Sequence, residues 1–177
     1  MRRPLSLDIS SILENPVISH IRRNHALEHA TLHTLASLLP RTMLMGHSDA
    51  GGFWIIGDVT PESLHAAVQE AIARLRAGES HLALHPNCGT NFVTAGTLAG
   101  MAGAASMLGS GKRVQDKIAR LPMAAALATL ALIFSQPLGM LLQARVTTCA
   151  DLGPLEVTAI THKKQGRLTA YRIQTRG

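Results

Sequence analysis

Apolar and polar positions alternate with a helical period in two segments of the first half of the chain. In the first, Pro16 to Leu39, apolar residues recur every three or four positions behind Asn15, a residue type that caps helices. The second, Thr60 to Gly78, opens with Thr-Pro-Glu, which supplies a cap, a first-turn proline and an acidic first turn. The pattern predicts one long helix followed by a shorter amphipathic helix.

Four shorter segments have the composition of β-strands. Thr42 to His47 and Phe53 to Val59 flank a glycine-containing turn, and Leu155 to Thr161 and Leu168 to Thr175 flank a polar turn. We expect two β-hairpins that join into one small antiparallel sheet under the first helix. A further short strand is predicted at 82–84.

Two long stretches carry no charged residue. Phe92 to Gly111 is rich in small residues, and Leu121 to Leu142 is richer in Leu and Ala and is interrupted at Gln136-Pro137. Each is about the length needed to cross a bilayer, and the basic connector 112–120 separates them. We interpret the pair as a transmembrane helical hairpin, in preference to a buried helical hairpin of a soluble protein. Small residues four positions apart in the first stretch permit close helix contact: Gly96, Gly100 and Ala104.

Together these elements predict an α+β fold with a transmembrane helical hairpin, in a single domain. It has three consecutive parts: an N-terminal α+β part (1–91), the membrane hairpin (92–142) and a C-terminal β-hairpin that completes the first part (143–177). Residues 1–15 are expected to form an irregular or surface-lying start. No secretory signal is expected, because Met1-Arg-Arg is followed by Pro4 and polar residues without an apolar core.

Composition and charge favour a membrane over nucleic acid as the partner. Apolar residues make up 46% of the chain but aromatic residues only 3%, a profile that fits lipid-facing helices. The formal charge of +6 would suit an anionic partner. The basic residues are scattered and have no aromatic platform beside them, so we expect no nucleic-acid binding. An anionic membrane surface is the stronger candidate.

The segment His25 to His29 reads H-A-L-E-H and is the strongest candidate for chemistry. On a helix, side chains four positions apart share one face, so His25 and His29 can bind a single metal ion with Glu28 beside it. Two neutral imidazoles and a carboxylate suit the activation of water by zinc. The order H-x-x-E-H also resembles that of the inverzincin metallopeptidases, in which the glutamate is the general base. The alternative is a set of partly buried helix histidines without a metal.

A catalytic zinc ion takes three protein ligands and keeps one open position, so a third ligand is needed. We favour Cys88, which precedes an apolar helix in the sequence H-P-N-C-G-T, where the helix dipole and a metal both stabilise a thiolate. His85 is the alternative ligand, or a residue that supports the ligands. Cys149 is interpreted as structural. Three candidates are weaker: Asp151, Glu156 and His162.

Three motifs in this order resemble those of a bacterial membrane-protein family described as a domain of unknown function. They are H-A-L-E-H at 25–29, H-P-N-C-G-T at 85–90 and a dispersed element made of Pro137, Gly139, Leu142, Gln143, Thr147, Thr148, Asp151, Glu156 and Val157. The resemblance covers most of the chain beyond residue 20. It implies an integral protein of the bacterial cytoplasmic membrane with a metal site, and it implies no settled activity.

Two functions follow from these residues. The first is a membrane-embedded, zinc-dependent hydrolase, in its most specific form a metallopeptidase acting on membrane-associated polypeptides, with Glu28 as general base for a zinc-bound water. The second is a non-enzymatic membrane scaffold or assembly factor, in which a fourth ligand such as His85 closes the metal site. Redox chemistry at Cys88 is a weaker third hypothesis. The expected partners are the lipid bilayer and a membrane-associated polypeptide, and a homo-oligomer is a further option.

Overall fold

Helices and one small sheet make up the residues that the structure describes, 9–165 and 168–177. The structure is a computed structural model of the chain. Its helices are α1 (Ile9–Leu13), α2 (Pro16–Leu38), α3 (Pro61–Arg76), α4 (Gly89–Ser106) and α5 (Val114–Leu142). Its strands are β1 (Leu44–Asp49), β2 (Gly52–Gly57), β3 (Glu156–Gln165) and β4 (Leu168–Arg176). The predicted α+β class is confirmed.

The chain divides into two compact units. The first unit contains residues Met1–Leu84 and Ala144–Gly177, and the second contains His85–Gln143. The first unit therefore holds the sheet with α1, α2 and α3, and the second holds α4 and α5. The chain passes from one unit to the other after Leu84 and returns after Gln143. The expectation of a single domain stays a prediction.

The two predicted hairpins join in one four-stranded antiparallel sheet with the order β1-β2-β4-β3. Phe53 of β2 lies opposite Ser48 of β1 and Ile173 of β4, so β2 and β4 form the centre. The covered face of the sheet shares one apolar core with α2 and α3. Its largest fully buried members include Leu27, Leu35, Phe53, Ile55, Leu64, Val68, Leu155, Tyr171 and Ile173.

Helix α2 carries the histidine motif through this core. Asn15 caps the helix, because its side chain accepts a hydrogen bond from the Val17 N–H at 3.0 Å, and Pro16 occupies the first helical position. The helix ends at Leu38, one residue before its predicted end. Residues 26–32 are all buried, so the motif lies at a fixed place in a packed core.

The strand predicted at 82–84 is wrong, because Ser80–Ala83 form a single 3₁₀ turn instead. Leu82 and Ala83 are buried against the core. The carbonyl groups of Ala83 and Leu84 accept hydrogen bonds from histidine side chains of α2. These carbonyl groups are therefore engaged by a helix rather than by a neighbouring strand, although the short apolar sequence is strand-like.

Residues 1–8 and 166–167 lie outside the described residues. Most of the irregular start predicted at 1–15 and the tip of the turn predicted between β3 and β4 fall on them. Within the described part of that start, Ile9–Leu13 form the short helix α1 rather than irregular chain. Strand β3 also continues further into the predicted polar turn than the sequence indicated, as far as Gln165.

In the second unit, α4 and α5 pack against each other as a helical pair. The interruption predicted at Gln136-Pro137 is wrong, since α5 continues through Pro137. A proline removes one hydrogen bond, here to the Ile133 carbonyl group, and the flanking turns keep theirs. Among the described residues, one helix is long and apolar enough to cross a membrane, Val114–Thr147. The membrane hairpin therefore stays a proposal.

The glycines of α4 do not mediate its contact with α5. A β carbon added at Gly96 or Gly100 would meet no atom of the described residues within 4 Å. The close approach occurs at Gly139 of α5, where an added β carbon would overlap the Asn91 side chain of α4. The small-residue spacing predicted to permit helix contact thus faces open space, and a glycine of α5 makes the contact instead.

Candidate metal centre

Three side chains of the histidine motif lie side by side on α2. The rings of His25 and His29 are 4.3 Å apart between centroids and meet edge to face, at 62°. His29 and Glu28 are only 2% and 4% exposed, whereas His25 is half-buried. One helical turn therefore places two imidazoles together at the border of a packed core, with a carboxylate next to them.

Main-chain carbonyl groups fix the tautomer of both histidines. Nδ1 of His25 lies 2.9 Å from the Thr147 carbonyl oxygen, and Nδ1 of His29 lies 2.7 Å from that of Ala83. A carbonyl oxygen only accepts hydrogen bonds, so each Nδ1 carries the proton and donates it. In a neutral imidazole the lone pair is then on Nε2. Metal-binding histidines are commonly held in this way, with the second nitrogen donating to a carbonyl or carboxylate group.

His33, one turn further along α2, uses its other nitrogen. Its Nε2 donates to the Leu84 carbonyl group at 2.8 Å. Together with the bond from His29 to Ala83, this contact ties the segment that precedes residue 85 to the helix. Ala83 and Leu84, the last residues of this part of the first unit, are therefore held against α2. The sequence H-P-N-C-G-T that follows them, residues 85–90, we call the cysteine turn.

The carboxylate of Glu28 packs against strand β1. A β carbon added at Gly46 would lie 2.8 Å from Cδ and 2.9 Å from Cγ of Glu28, closer than any real side chain approaches. Only glycine at this position leaves room for the carboxylate group. The identity of residue 46 therefore sets how closely the strand approaches the candidate general base on the helix.

Cys88 occupies the position directly before the first residue of α4 and is 7% exposed. Its main-chain N–H donates to the His85 carbonyl group at 3.2 Å. His25, His29 and Cys88 form a cluster that could hold a metal ion, because one ligand atom from each lies within 4.8 Å of the others. Zinc binds imidazole nitrogen at about 2.0–2.1 Å and thiolate sulfur at about 2.3 Å. Two nitrogens and one sulfur are a donor set that zinc accepts.

Two buried amide side chains hold the cysteine turn within the second unit. Gln143 accepts from the His85 N–H at 2.9 Å and donates to the His85 carbonyl group at 3.1 Å. It also donates to the Asn91 side-chain oxygen at 2.8 Å. Asn91 in turn donates to the Pro86 carbonyl group at 2.7 Å. Both main-chain groups of His85 are therefore engaged by one side chain.

The other candidate ligands are not part of the cluster found among the described residues. Nδ1 of His85 accepts the Asn87 N–H at 3.2 Å. The three weaker candidates make contacts of their own: Asp151 with the Gly153 N–H, Glu156 with Arg176, and His162 with the ring of Tyr171. Of the sequence-predicted ligands, the structure thus brings together His25, His29 and Cys88.

An ion pair fixes the β1–β2 hairpin beside the histidine motif. The two carboxylate oxygens of Asp49 accept hydrogen bonds from Arg172 at 2.7 and 2.8 Å. The Arg172 guanidinium is the main reason that the pKa of Asp49 lies below its usual value. The main-chain carbonyl group of Asp49 accepts from the side chain of Asn24 at 2.9 Å. Since Asn24 precedes His25, the hairpin is anchored to the part of α2 that carries the motif.

Sequence reasoning placed Gln143 and Thr147 in the dispersed motif but did not predict that they orient the candidate ligands. Thr147 and Ala83 act through main-chain carbonyl groups, which no residue type signals. Gln143 and Asn91 did leave a signal, because each is an amide side chain in or at the end of an apolar stretch. A buried amide in such a place requires hydrogen-bond partners, so each of these two residues predicts polar groups close to it in the fold.

The fold and the site define an α+β protein with a candidate metal centre and one apolar helix of membrane-spanning length. The chain belongs to the DUF6391 family, a domain of unknown function whose model matches residues 20–160. The predicted resemblance to such a family is confirmed. An uncharacterised protein from Picosynechococcus sp. is 37% identical over 142 residues, which cover 75% of this chain and 67% of the relative. No solved structure matches the chain.

Proposed function

We propose that this protein is a metal-dependent hydrolase of the bacterial cytoplasmic membrane, in its most specific form a zinc metallopeptidase that cleaves membrane-associated polypeptides. One observation carries the proposal: the two imidazoles on α2 both donate from Nδ1 to main-chain carbonyl groups. This arrangement leaves an Nε2 lone pair on each of two rings that stand on neighbouring turns of one helix. A metal ion requires such lone pairs, whereas two histidines that are buried only for packing do not require them.

The number of ligands favours a catalytic over a structural metal. The cluster of His25, His29 and Cys88 contains no fourth histidine, cysteine or carboxylate from the described residues. Catalytic zinc sites keep three protein ligands and one open position, whereas structural sites are closed by four ligands. A zinc ion bound there would supply Lewis acidity, which polarises a carbonyl group and makes a water molecule more acidic.

Glu28 is the proposed general base. Its carboxylate is buried beside His29 and against Gly46, so it is held away from bulk solvent and in a fixed position. In peptide hydrolysis it takes a proton from the attacking water as the new C–O bond forms. It then gives that proton to the leaving amine nitrogen as the C–N bond breaks, which returns Glu28 to its starting state.

A membrane-associated polypeptide is the substrate class that the chain favours. Cys88 leads directly into α4, and in the second unit many large apolar side chains of α4 and α5 are exposed. They include Phe92, Val93, Met101, Leu130, Ile133 and Phe134. A surface of this kind suits contact with lipid hydrocarbon rather than water. The proposed ligand Cys88 then lies at the end of a helix that belongs to the membrane part of the protein.

A membrane scaffold or assembly factor with a structural metal site is the second candidate function. It needs a fourth ligand, and His85 lies in the same turn as Cys88. However, Nδ1 of His85 accepts the Asn87 N–H, so the neutral ring carries its proton on Nε2. In this rotamer His85 presents no lone pair to a metal. The observation favours the three-ligand, catalytic arrangement.

Metal analysis of the purified protein tests the first half of the proposal. We expect about one zinc ion per chain in the wild type and a large loss in His29→Ala, because a ligand is removed. His65→Ala is the matched control, since it removes an exposed histidine from another helix of the first unit and should keep the metal. A wild-type protein that holds no metal after loading with zinc would refute the proposal.

The substitution Glu28→Gln tests the second half. It should keep the zinc and lower peptide hydrolysis by about 10²- to 10⁴-fold, the range that a general base contributes. Hydrolysis is measured as new amino termini released from a detergent-solubilised membrane-protein fraction. Glu70→Gln, an exposed glutamate on α3, is the control and should retain wild-type activity. Unchanged hydrolysis in Glu28→Gln would exclude Glu28 as the general base. If the wild-type protein shows no hydrolysis, the scaffold function is favoured instead.

A further inference from the structure

One side chain of the second unit pairs with both main-chain groups of a single residue. Gln143 accepts from the N–H of His85 and donates to its carbonyl group, as a neighbouring strand would. Such two-point pairing fixes the orientation of the peptide as well as its position. His85 begins the cysteine turn, and the Cys88 N–H donates back to the same His85 carbonyl group at 3.2 Å. The contact with Gln143 therefore extends, through one carbonyl group, to Cys88.

Asn91 completes this arrangement from the other side of the turn. It lies in the first turn of α4, accepts from Gln143 and donates to the Pro86 carbonyl group at 2.7 Å. Gly139 of α5 leaves the space for its side chain, since a β carbon there would overlap Asn91. Two successive carbonyl groups of the cysteine turn are thus held by amides that also bind each other, and Gln143 is fully buried.

We propose that Gln143 is a positioning residue for Cys88, fixing the turn that presents the sulfur of this proposed metal ligand. This inference rests on the proposed metal site and adds a residue to it. The amide group is essential because it is a donor and an acceptor in one plane. A carboxylate at this position would only accept, and would face the His85 carbonyl oxygen without a proton between them. An apolar side chain would leave both groups of His85 without this partner.

The test is metal affinity, measured for the full-length protein in detergent with Zn²⁺ and Co²⁺ by competition with a chelator. Loss of a group that orients a metal ligand typically weakens binding by about 10- to 100-fold, and we expect this for Gln143→Ala. Gln136→Ala is the matched control, since it removes an exposed glutamine from the same helix. Its affinity should stay within about twofold of the wild type.

A double substitution separates positioning from a general effect on the fold. If Gln143 acts through Cys88, then Gln143→Ala weakens binding in the wild type but adds nothing in Cys88→Ser, which has already lost the sulfur ligand. The Co²⁺ protein gives a second readout, because a thiolate bound to Co²⁺ produces a charge-transfer absorption band. At equal bound Co²⁺ this band should be weaker in Gln143→Ala and unchanged in Gln136→Ala.

Three outcomes would overturn the inference. An equal loss of affinity in the wild-type and Cys88→Ser backgrounds, or no loss and an intact band, removes the positioning role but leaves the metal site. A wild-type protein that binds neither ion removes the proposed function as well. If Gln143→Ala fails to fold by circular dichroism, Asn91→Ala takes its place, because Asn91 holds the same turn through Pro86. The same outcomes then decide the question.

Discussion

Each candidate ligand on α2 is oriented by a residue that is distant in the sequence. Thr147 and Ala83 stand 122 and 54 positions from their histidines, yet each supplies the carbonyl group that accepts from one imidazole. A spacing of four residues identifies side chains that share a helix face, but it carries no information about which nitrogen holds the proton. At the scale of single residues, the sequence could name candidate ligands and a candidate base, but not how they are held.

Gly46 offers a way to displace Glu28 without altering a chemical group of the site. In Gly46→Ala the added methyl group overlaps the carboxylate, so Glu28 must leave its place beside His29. We expect the zinc content to stay at the wild-type value, because no proposed ligand is changed. Hydrolysis should fall by about 100-fold, the effect of a displacement of about 1 Å at a reacting group. Zinc content and release of amino termini are measured on the same samples.

The control for this experiment is Gly100→Ala. Its added methyl group meets no atom of the described residues within 4 Å, so both zinc content and hydrolysis should match the wild type. Full hydrolytic activity in Gly46→Ala would show that the close packing of Glu28 against β1 does not matter to catalysis. Loss of zinc in Gly46→Ala would place the effect on the metal site instead.

Among the elements, the π-helical turn Gln143–Thr147 that follows α5 has the most consequential position. Its first residue binds the cysteine turn, and the carbonyl group of its last residue accepts from His25. π-helical turns are rare, occur mostly as a single turn within a helix, and are frequent at functional sites. The turn therefore connects, along the chain, a residue that binds the cysteine turn and a residue that orients His25.

Deletion of Val146 tests whether this turn matters to the proposed metal site. Without one of its five residues the turn cannot keep its π-helical hydrogen bonds, and we expect the Thr147 carbonyl group to lose its place beside Nδ1 of His25. We expect zinc affinity to fall by about tenfold or more, with the helix content retained in the circular dichroism spectrum. Deletion of Lys112, an exposed residue of the connector before α5, is the control and should leave affinity unchanged. Wild-type affinity after deletion of Val146 would show that the turn length is irrelevant.

The elements also show which signals in the sequence were sufficient to predict secondary structure. Helices α2 and α3 end within two residues of their predicted ends, because caps, prolines and apolar periodicity are local signals. The failures came from contacts between distant segments. The strand predicted at 82–84 is absent because α2 histidines bind its carbonyl groups. The sequence predicted that the two hairpins share one sheet, but it did not predict that β2 pairs with β4. Strand order depends on the packing of the whole first unit.

For the whole molecule, the exposed apolar surface of the second unit is the feature that most requires a partner. In the most apolar part of the segment Val114–Thr147, only 11% of the residues are buried. A large apolar surface of this kind is rare on a protein in water and expected for one in lipid. Composition and the uncharged stretches predicted a membrane segment for the same reason. They could not decide whether α4 accompanies α5, because α4 consists largely of small residues with little hydrophobicity.

A single charge placed near the middle of each helix tests which of them lies in hydrocarbon. An arginine at the centre of a membrane helix costs about 2.5–3.5 kcal/mol of insertion free energy. Leu130→Arg in α5 should therefore move protein from the membrane fraction that resists alkaline carbonate into the extracted fraction. Met101→Arg in α4 should do the same if the two helices insert as a hairpin, and should change nothing if α5 crosses alone.

Gln69→Arg, on an exposed position of α3, adds the same charge to the first unit and should stay with the membrane. Extraction of the wild-type protein by carbonate would contradict the membrane proposal, and with it the choice of membrane polypeptides as substrates. It would leave the metal proposal standing, because the carbonyl groups of Thr147 and Ala83 that hold the two imidazoles belong to the first unit. The two proposals share the second unit through Cys88, but zinc content and carbonate extraction are separate measurements, so each proposal can fail without the other.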